Sequence, residues 1–178
     1  MKARPRTVVQ AGDAVRQLCP ACGLCCNGVL FGDVELQKSD DAKRLRSLGM
    51  ELFLKGRQKC FAQPCSCFDG KFCSIYDDRP RRCRTFECRL LMRVQSGEIS
   101  GRSALAKIKK ARQIISQILR LLRDSGNTDE HLPLNRRYAE VGERPINLAG
   151  ERSELARRRK LMLAVGRLTR LLESDYLT

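Results

Sequence analysis

Apolar residues recur at helical spacing in two stretches of the second half of the chain. In residues 103–124 they follow steps of three or four, which is the spacing of one helix face. These positions are Ala104, Ile108, Ala111, Ile115, Ile118 and Leu122. A second face of the same kind carries Leu161, Val165, Leu168 and Leu172. Residues 124–150 between them hold too many Gly, Pro and Asn for one continuous helix, so the pattern predicts two antiparallel helices.

The first half of the chain shows shorter patterns. Apolar and β-branched residues over 29–37 predict a short strand that is interrupted at Gly32. The polar residues 39–41 offer an N-cap for a short helix, and Gly49 offers its stop. The apolar face of this helix is Ala42, Leu45 and Leu48. Residues 50–59 are mixed in pattern and are expected to be extended.

Cysteine usage changes this picture. The 178 residues suit one domain with an appendage, but only 5% are aromatic and none is Trp, so the apolar core needs help. Ten cysteines, all before residue 89, are the candidates for that help. No apolar run resembles a secretory signal or a membrane span, which leads us to expect a cytoplasmic protein. In a reducing compartment, clustered thiols hold metal more often than they form disulfides.

The change in composition predicts three segments. Residues 1–18 are a basic lead-in, residues 19–94 a metal-binding domain, and residues 95–178 a basic amphipathic helical extension. The boundary near Val94 follows from the absence of cysteines beyond it. The predicted fold class is α+β, a small strand-poor domain that is organised by cysteine ligation and followed by a C-terminal two-helix extension.

The run CPACGLCC contains the sharpest chemical signal. Two residues separate Cys19 from Cys22 and Cys22 from Cys25, a gap that lets both thiolates of a turn bind one ion. Cys26 follows Cys25 directly, and the side chains of neighbours tend to diverge. Either Cys26 therefore serves a second metal, or the backbone bends sharply there with help from Gly28.

Six more cysteines follow between residues 60 and 88. The gaps between them are four, one, five, nine and four residues. A zinc ribbon needs a second C-x-x-C about 15 to 20 residues after the first, and no such pair is present, so a zinc ribbon is disfavoured. The spacing also differs from those of bacterial ferredoxins and radical S-adenosylmethionine enzymes.

Together with CFDGKFCSIYDDRPRRCRTFEC, the run CPACGLCC resembles the YkgJ-like CxxCxxCC cysteine-cluster family, which is described as zinc- or iron-chelating. The resemblance spans about Cys19 to Cys88 and implies a site with eight thiolate ligands. These are Cys19, Cys22, Cys25, Cys26, Cys67, Cys73, Cys83 and Cys88. Cys60 and Cys65 lie outside this set, as substitutes, extra ligands or free thiols.

The resemblance implies metal binding, through zinc or an iron-sulfur cluster, and little further biochemistry. A flagellin lysine methylase is similar in its cysteine cluster, but this chain has no recognisable S-adenosylmethionine site. Nucleophile elbows, phosphate loops and dinucleotide fingerprints are also absent from the sequence. The alternative is an iron-sulfur-dependent enzyme or an electron carrier, and enzyme status stays open.

A few other residues have candidate roles around the cysteines. Four thiolates on one Zn²⁺ leave a net charge of about −2, which a nearby cation stabilises. Arg79 and Arg84 belong to the resembled motif and are candidates for this outer role, with a solvated surface position as the alternative. Tyr76 and Phe86 suit either a cover over the cluster or ordinary core packing. His131, the only histidine, is expected at the surface.

The formal net charge of +15 indicates possible anionic partners without identifying one. The predicted C-terminal helices carry dense basic runs. These contain Lys107, Lys109, Lys110, Arg112, Arg157, Arg158, Arg159 and Lys160. Such faces suit an acidic protein, nucleic acid or membrane headgroups, or they are simply solvated. No aromatic residues are interleaved to stack on bases, which favours the solvated alternative.

Overall fold

The computed structural model describes residues 11–145 and 152–177, so residues 1–10 of the predicted lead-in lie outside the described residues. The helices are α1 (Ala11–Cys22), α2 (Ala42–Ser47), α3 (Arg81–Thr85), α4 (Arg89–Gln95), α5 (Gly101–Asp124), α6 (Leu134–Glu143) and α7 (Arg152–Asp175). The strands are β1 (Asp33–Glu35), β2 (Leu52–Lys55) and β3 (Gln58–Ala62). Helices with one small antiparallel sheet confirm the predicted α+β class.

The two long helices, α5 and α7, pack against each other. All six apolar positions predicted for one face of α5 are buried. The positions predicted on α7 all belong to the same core or pack against it. Lys107, near the start of α5, binds Asp175 at the end of α7, and Arg167 donates a hydrogen bond to Gln117 further along. The helices therefore run antiparallel.

The extension predicted as two helices contains a third, α6. Pro133 directly precedes it, and its Leu134 and Val141 are buried. Buried Arg137 donates from Nε to Asn127 Oδ1 at 3.0 Å, which ties α6 to the connector after α5. The proline residues of this stretch lie on either side of a short helix. The helix forms because its apolar face is buried in the core.

A three-stranded sheet lies in the first half of the chain, in the order β1-β3-β2 with antiparallel pairs. The strand predicted over 29–37 is shorter than expected, since β1 begins only after Gly32. Residues 50–59 are extended as expected and form β2 and the start of β3. A tight turn at Gly56, with a φ of +61°, joins these two strands.

The short helix α2 forms where the sequence predicts it. Asp41 is its N-cap, and Oδ1 accepts hydrogen bonds from the backbone N–H groups of Lys43 at 2.9 Å and Arg44 at 3.1 Å. Leu45 is buried beneath the helix, and Gly49 follows its end with a φ of +91°. Cap and stop therefore act as predicted.

The buried apolar side chains that the structure describes form two clusters. The larger one, here called the helical core, contains eighteen buried residues from α1, α4–α7 and the segments beside them. The smaller one, the sheet core, contains six: Leu36, Leu45, Met50, Phe61, Cys67 and Ile75. The helical core draws on residues from both sides of Val94, and the domain boundary there stays a prediction.

Candidate metal centre

The first cysteine motif begins on a helix and ends in a turn. α1 continues through Pro20, so Cys19 and Cys22 lie one turn apart on the same helix face. A proline such as Pro20 would be expected to interrupt the helix, yet it lies inside α1. Proline removes one backbone hydrogen bond, and burial of Leu18 and Leu24 in the helical core offsets that loss.

Two glycines fold this motif back onto the second cysteine-rich segment. Gly23 has a φ of +67°, and a Cβ there would lie 2.7 Å from the ring of Phe68. Gly28 has a φ of +76°, and a Cβ there would lie 3.0 Å from Pro64. Both positions require glycine, because of their conformation and of these close approaches.

The side chains of Cys25 and Cys26 do not diverge as expected. Their sulfur atoms lie 3.7 Å apart, because the turn at Gly23, closed by a hydrogen bond from Cys26 N–H at 2.9 Å, bends the backbone. The bend therefore brings the two neighbouring thiols within hydrogen-bonding distance of each other.

The second cysteine-rich segment is attached to the first through its backbone. Cys65 N–H donates to the carbonyl of Cys26 at 2.9 Å. Ser74 N–H donates to the carbonyl of Cys67 at 2.8 Å, and an antiparallel bridge joins Phe68 to Cys73. This hairpin-like loop therefore carries three thiols towards the first motif.

The last two cysteines lie on short helices. Cys83 is on α3, and Cys88 is the N-cap residue of α4. Arg81 N–H donates to the carboxylate of Asp40 at 2.8 Å, which fixes the start of α3 beside the sheet core. Cys83 packs against the sheet core and Cys88 against the helical core, so this segment spans both.

The two cysteines outside the resembled set of eight have different surroundings. Cys60 is fully buried in β3, opposite Phe53. Burial raises the pKa of Cys60, and the charges of Asp33 and Glu35 raise it further. Cys65, by contrast, is bonded to the first motif through its backbone N–H. Only Cys65 belongs with the clustered thiols.

A family model, CxxCxxCC, described as a putative zinc- or iron-chelating domain, matches residues 18–112. The match covers more than half of the 178 residues. The chain belongs to this CxxCxxCC family. The matched range includes all ten cysteines and continues beyond Cys88 through α4 into α5. No curated protein and no solved structure matches the chain.

Electrostatic coupling divides the CxxCxxCC thiols into two groups. Burial, followed by the charges of Cys25 and Cys88, raises the pKa of Cys19 to about 11. Burial raises the pKa of Cys22 to about 12, and the same two charges contribute. Cys19, Cys22, Cys25 and Cys88 are called the first thiol group below.

The second thiol group centres on Cys83. Burial raises its pKa to about 12, and the charges of Cys65, Cys25 and Cys73 raise it further. Burial also raises the pKa of Cys65 to about 11, with Cys67 and Cys73 adding to the shift. The group consists of Cys26, Cys65, Cys67, Cys73 and Cys83. Cys25 acts on thiols of both groups, so the groups meet at the Cys25–Cys26 pair.

Packing shows the same division. Cys22 and Cys88, from the first thiol group, pack against the helical core. Cys65, Cys73 and Cys83, from the second, pack against the sheet core. The CxxCxxCC thiols therefore lie at the junction between the two cores.

Cys25 ionises more readily than its neighbour Cys26. The hydrogen bond from Cys26 lowers the pKa of Cys25, and the Arg79 guanidinium adds to this effect. The same hydrogen bond raises the pKa of Cys26, so the pair shares one proton.

Arg79 lies beside thiols of both groups. Its guanidinium stacks over the Tyr76 ring at 3.7 Å, and its Nε donates to the carbonyl of Tyr76 at 2.8 Å. Its charge acts to lower the pKa of thiols in both groups.

The other candidate residues around the cysteines are exposed. Arg84 lies on α3, and its role stays a prediction. Phe86 forms an edge contact with Phe31, with ring centroids 5.0 Å apart.

The donor set fits a thiolate-bound metal by its chemistry. All ten thiols are free. Burial and like charge raise the pKa of seven of them, which opposes the formation of several thiolates unless a cation joins them. These are Cys19, Cys22, Cys26, Cys65, Cys73, Cys83 and Cys88. In residues 11–145 and 152–177, no three Cys, His, Asp or Glu side chains are already placed to hold one ion. Closing a complete ligand set therefore requires the thiols to move together.

The basic faces of the long helices are partly used within the fold. Lys107 binds Asp175, and Arg112 donates to the carbonyl of Ala21 at 2.9 Å. His131 is exposed, as predicted. Contact with an acidic protein or nucleic acid stays a prediction. None of the described helices has the length and apolar character needed to cross a membrane.

Two residues of the site are not assigned by the sequence. Cys65 has only its position two residues before Cys67 as a signal, and the contact with Cys26 identifies it. Tyr176 is buried beside the first thiol group, where burial and the charges of Cys22 and Cys88 raise its pKa. It lies outside the matched range and in no motif, so no sequence signal distinguishes it.

Proposed function

We propose that this protein is a zinc-binding module in which metal ions organise the cysteine-rich part of the chain. The observation that carries the proposal is the gathering of thiols from two segments, residues 19–26 and 65–88, into one half-buried neighbourhood. The proposed ligands are Cys19, Cys22, Cys25, Cys26, Cys67, Cys73, Cys83 and Cys88. Arg79 balances part of their negative charge.

The two thiol groups favour two metal ions. Structural zinc sites take four ligands in a tetrahedron. The first thiol group supplies four thiols, and the second supplies four of the resembled set together with Cys65. Cys65 is therefore a candidate alternative ligand in the second group, whereas Cys60 is not a ligand.

One observation supports a structural metal ion such as zinc. The sheet core is small, and a structural zinc ion supplies folding free energy that such a core lacks.

Metal analysis with a visible absorption spectrum, on the full chain purified without oxygen, tests the proposal. We expect about two zinc ions per chain and no colour. Iron and sulfide with a broad absorption band near roughly 400 nm would overturn the assignment of zinc as the metal. That result would favour the alternative function, an iron-sulfur enzyme or an electron carrier. Protein without bound metal would overturn metal binding itself.

Matched cysteine variants test the ligand assignment. We expect Cys83→Ala to lose about one of two ions, because it leaves a four-thiolate site incomplete. Cys60→Ala removes an equally small side chain from β3, and we expect it to keep both ions. Equal metal loss in the two variants would contradict the assignment. Cys65→Ala then shows whether the additional thiol binds metal.

A further inference from the structure

Tyr176 contains a buried hydroxyl without a partner. It follows the last residue of α7, is 1% exposed and is among the largest fully buried side chains. Its Oη has no hydrogen-bond partner among the described residues. Leaving such a donor unsatisfied costs free energy, and phenylalanine would fill the same space without that cost. The hydroxyl therefore needs a further reason to be there.

The end of α7 is fixed against the start of α4, next to Cys88. Arg89 N–H donates to the carbonyl of Tyr176 at 3.1 Å, and Arg89 Nη1 donates to the carbonyl of Glu173 at 3.1 Å. The buried carboxylate of Asp175 binds Lys107 at 2.8 Å. These bonds hold Tyr176 beside the residue that follows a proposed metal ligand.

The ring of Tyr176 shares its surroundings with the first thiol group. It belongs to the helical core, against which Cys22 and Cys88 also pack. A phenol is protonated at neutral pH, so its hydroxyl is available as a donor. Metal-bound thiolates are acceptors, and donors around them tune the site.

We propose that the Tyr176 hydroxyl donates a hydrogen bond to a metal-bound thiolate of the first thiol group, Cys22 or Cys88. This inference rests on the proposed metal binding and deepens it. It makes Tyr176 a positioning residue that stabilises negative charge on sulfur. The last turn of the chain, outside the matched CxxCxxCC range, thereby becomes part of the metal centre.

The test loads the full chain with Co²⁺, whose thiolate charge-transfer bands respond to hydrogen bonds at sulfur. In Tyr176→Phe we expect the same number of bound ions, a shift of these bands to longer wavelength, and roughly 10-fold weaker binding of one ion in a chelator competition. Tyr138→Phe makes the same change elsewhere beside the helical core, and we expect it to alter neither property.

The outcomes separate the two proposals. Unchanged bands and affinity in Tyr176→Phe, with a wild-type chain that binds Co²⁺, would overturn the role of Tyr176 and leave metal binding intact. A wild-type chain that binds no Co²⁺ would overturn both. Equal shifts in Tyr138→Phe would assign the effect to core packing and also overturn the role of Tyr176.

Discussion

The helical core and the sheet core hold the chain together in different ways. Eighteen buried residues form the first and six the second, within the part of the chain that the structure describes. Burial of one large apolar side chain is worth about 1.5–3 kcal/mol, so the helical core, with three times as many buried residues, gains more from the hydrophobic effect. The strands beside the sheet core have only three to five residues. A sheet of three short strands is near the minimum for independent stability and needs a hydrophobic face or a helix to pack against.

The thiols lie where the weaker region needs support. The second thiol group packs on the sheet core and the first on the helical core, and the Cys25–Cys26 pair joins them. Metal bound there would link the weakly packed region to the strongly packed one. The comparison teaches that apolar burial differs between the two halves of the molecule, and we propose that bound metal makes up the difference in the half with the sheet core.

Removal of metal should have the largest effect. A chelator that strips the proposed ions withdraws roughly 10–16 kcal/mol of apparent binding free energy per structural zinc. We expect amide protons of β1–β3 and of residues 65–88 to lose their protection from hydrogen exchange, while those of α5 and α7 keep it. The metal-loaded chain, labelled in parallel, is the control. Equal loss of protection in both regions would break the comparison.

The same contrast explains what the sequence could predict of the fold. The buried face of α5 follows from its periodicity, since a long amphipathic helix carries its signal locally. The cap and stop of α2 are local as well. By contrast, α6 and the passage of α1 through Pro20 depend on packing against residues distant in sequence. No local pattern contains that information.

A cavity in the helical core should have the next largest effect. Ile118 is completely buried on α5, and Ile118→Ala should lower the free energy of unfolding by about 2–5 kcal/mol. Urea unfolding followed by circular dichroism measures the change. Leu105→Ala, at a 42% exposed position of the same helix, should change stability by less than about 0.5 kcal/mol. Metal content should be unchanged in both variants. If Ile118→Ala releases metal, the two regions are not independent.

Prediction of the site was limited in the same way. The eight proposed ligands follow from the resemblance to the CxxCxxCC family, because the spacing of the cysteines alone does not select them. The separation of Cys60 from Cys65 depends on a strand pairing and on a bond from Cys65 to Cys26. The convergence of Cys25 and Cys26 depends on the turn at Gly23. These features arise from three-dimensional contacts between segments.

Removal of a helix cap should have the smallest effect and gives the finest test of the comparison. Ser100 is the N-cap of α5, and its Oγ accepts a hydrogen bond from Ser103 N–H at 3.1 Å. Ser100→Ala should lower the free energy of unfolding by about 1 kcal/mol, and Ser100→Asp, which keeps an acceptor, should retain most of it. The urea midpoint should fall while the slope of the transition stays constant, because the surface exposed on unfolding does not change. If the two regions are held together independently, a less stable α5 weakens the helical core and leaves the metal centre unchanged. Faster loss of zinc to a chelator in Ser100→Ala, and not in Ser100→Asp, would therefore show that the metal centre depends on the helical core.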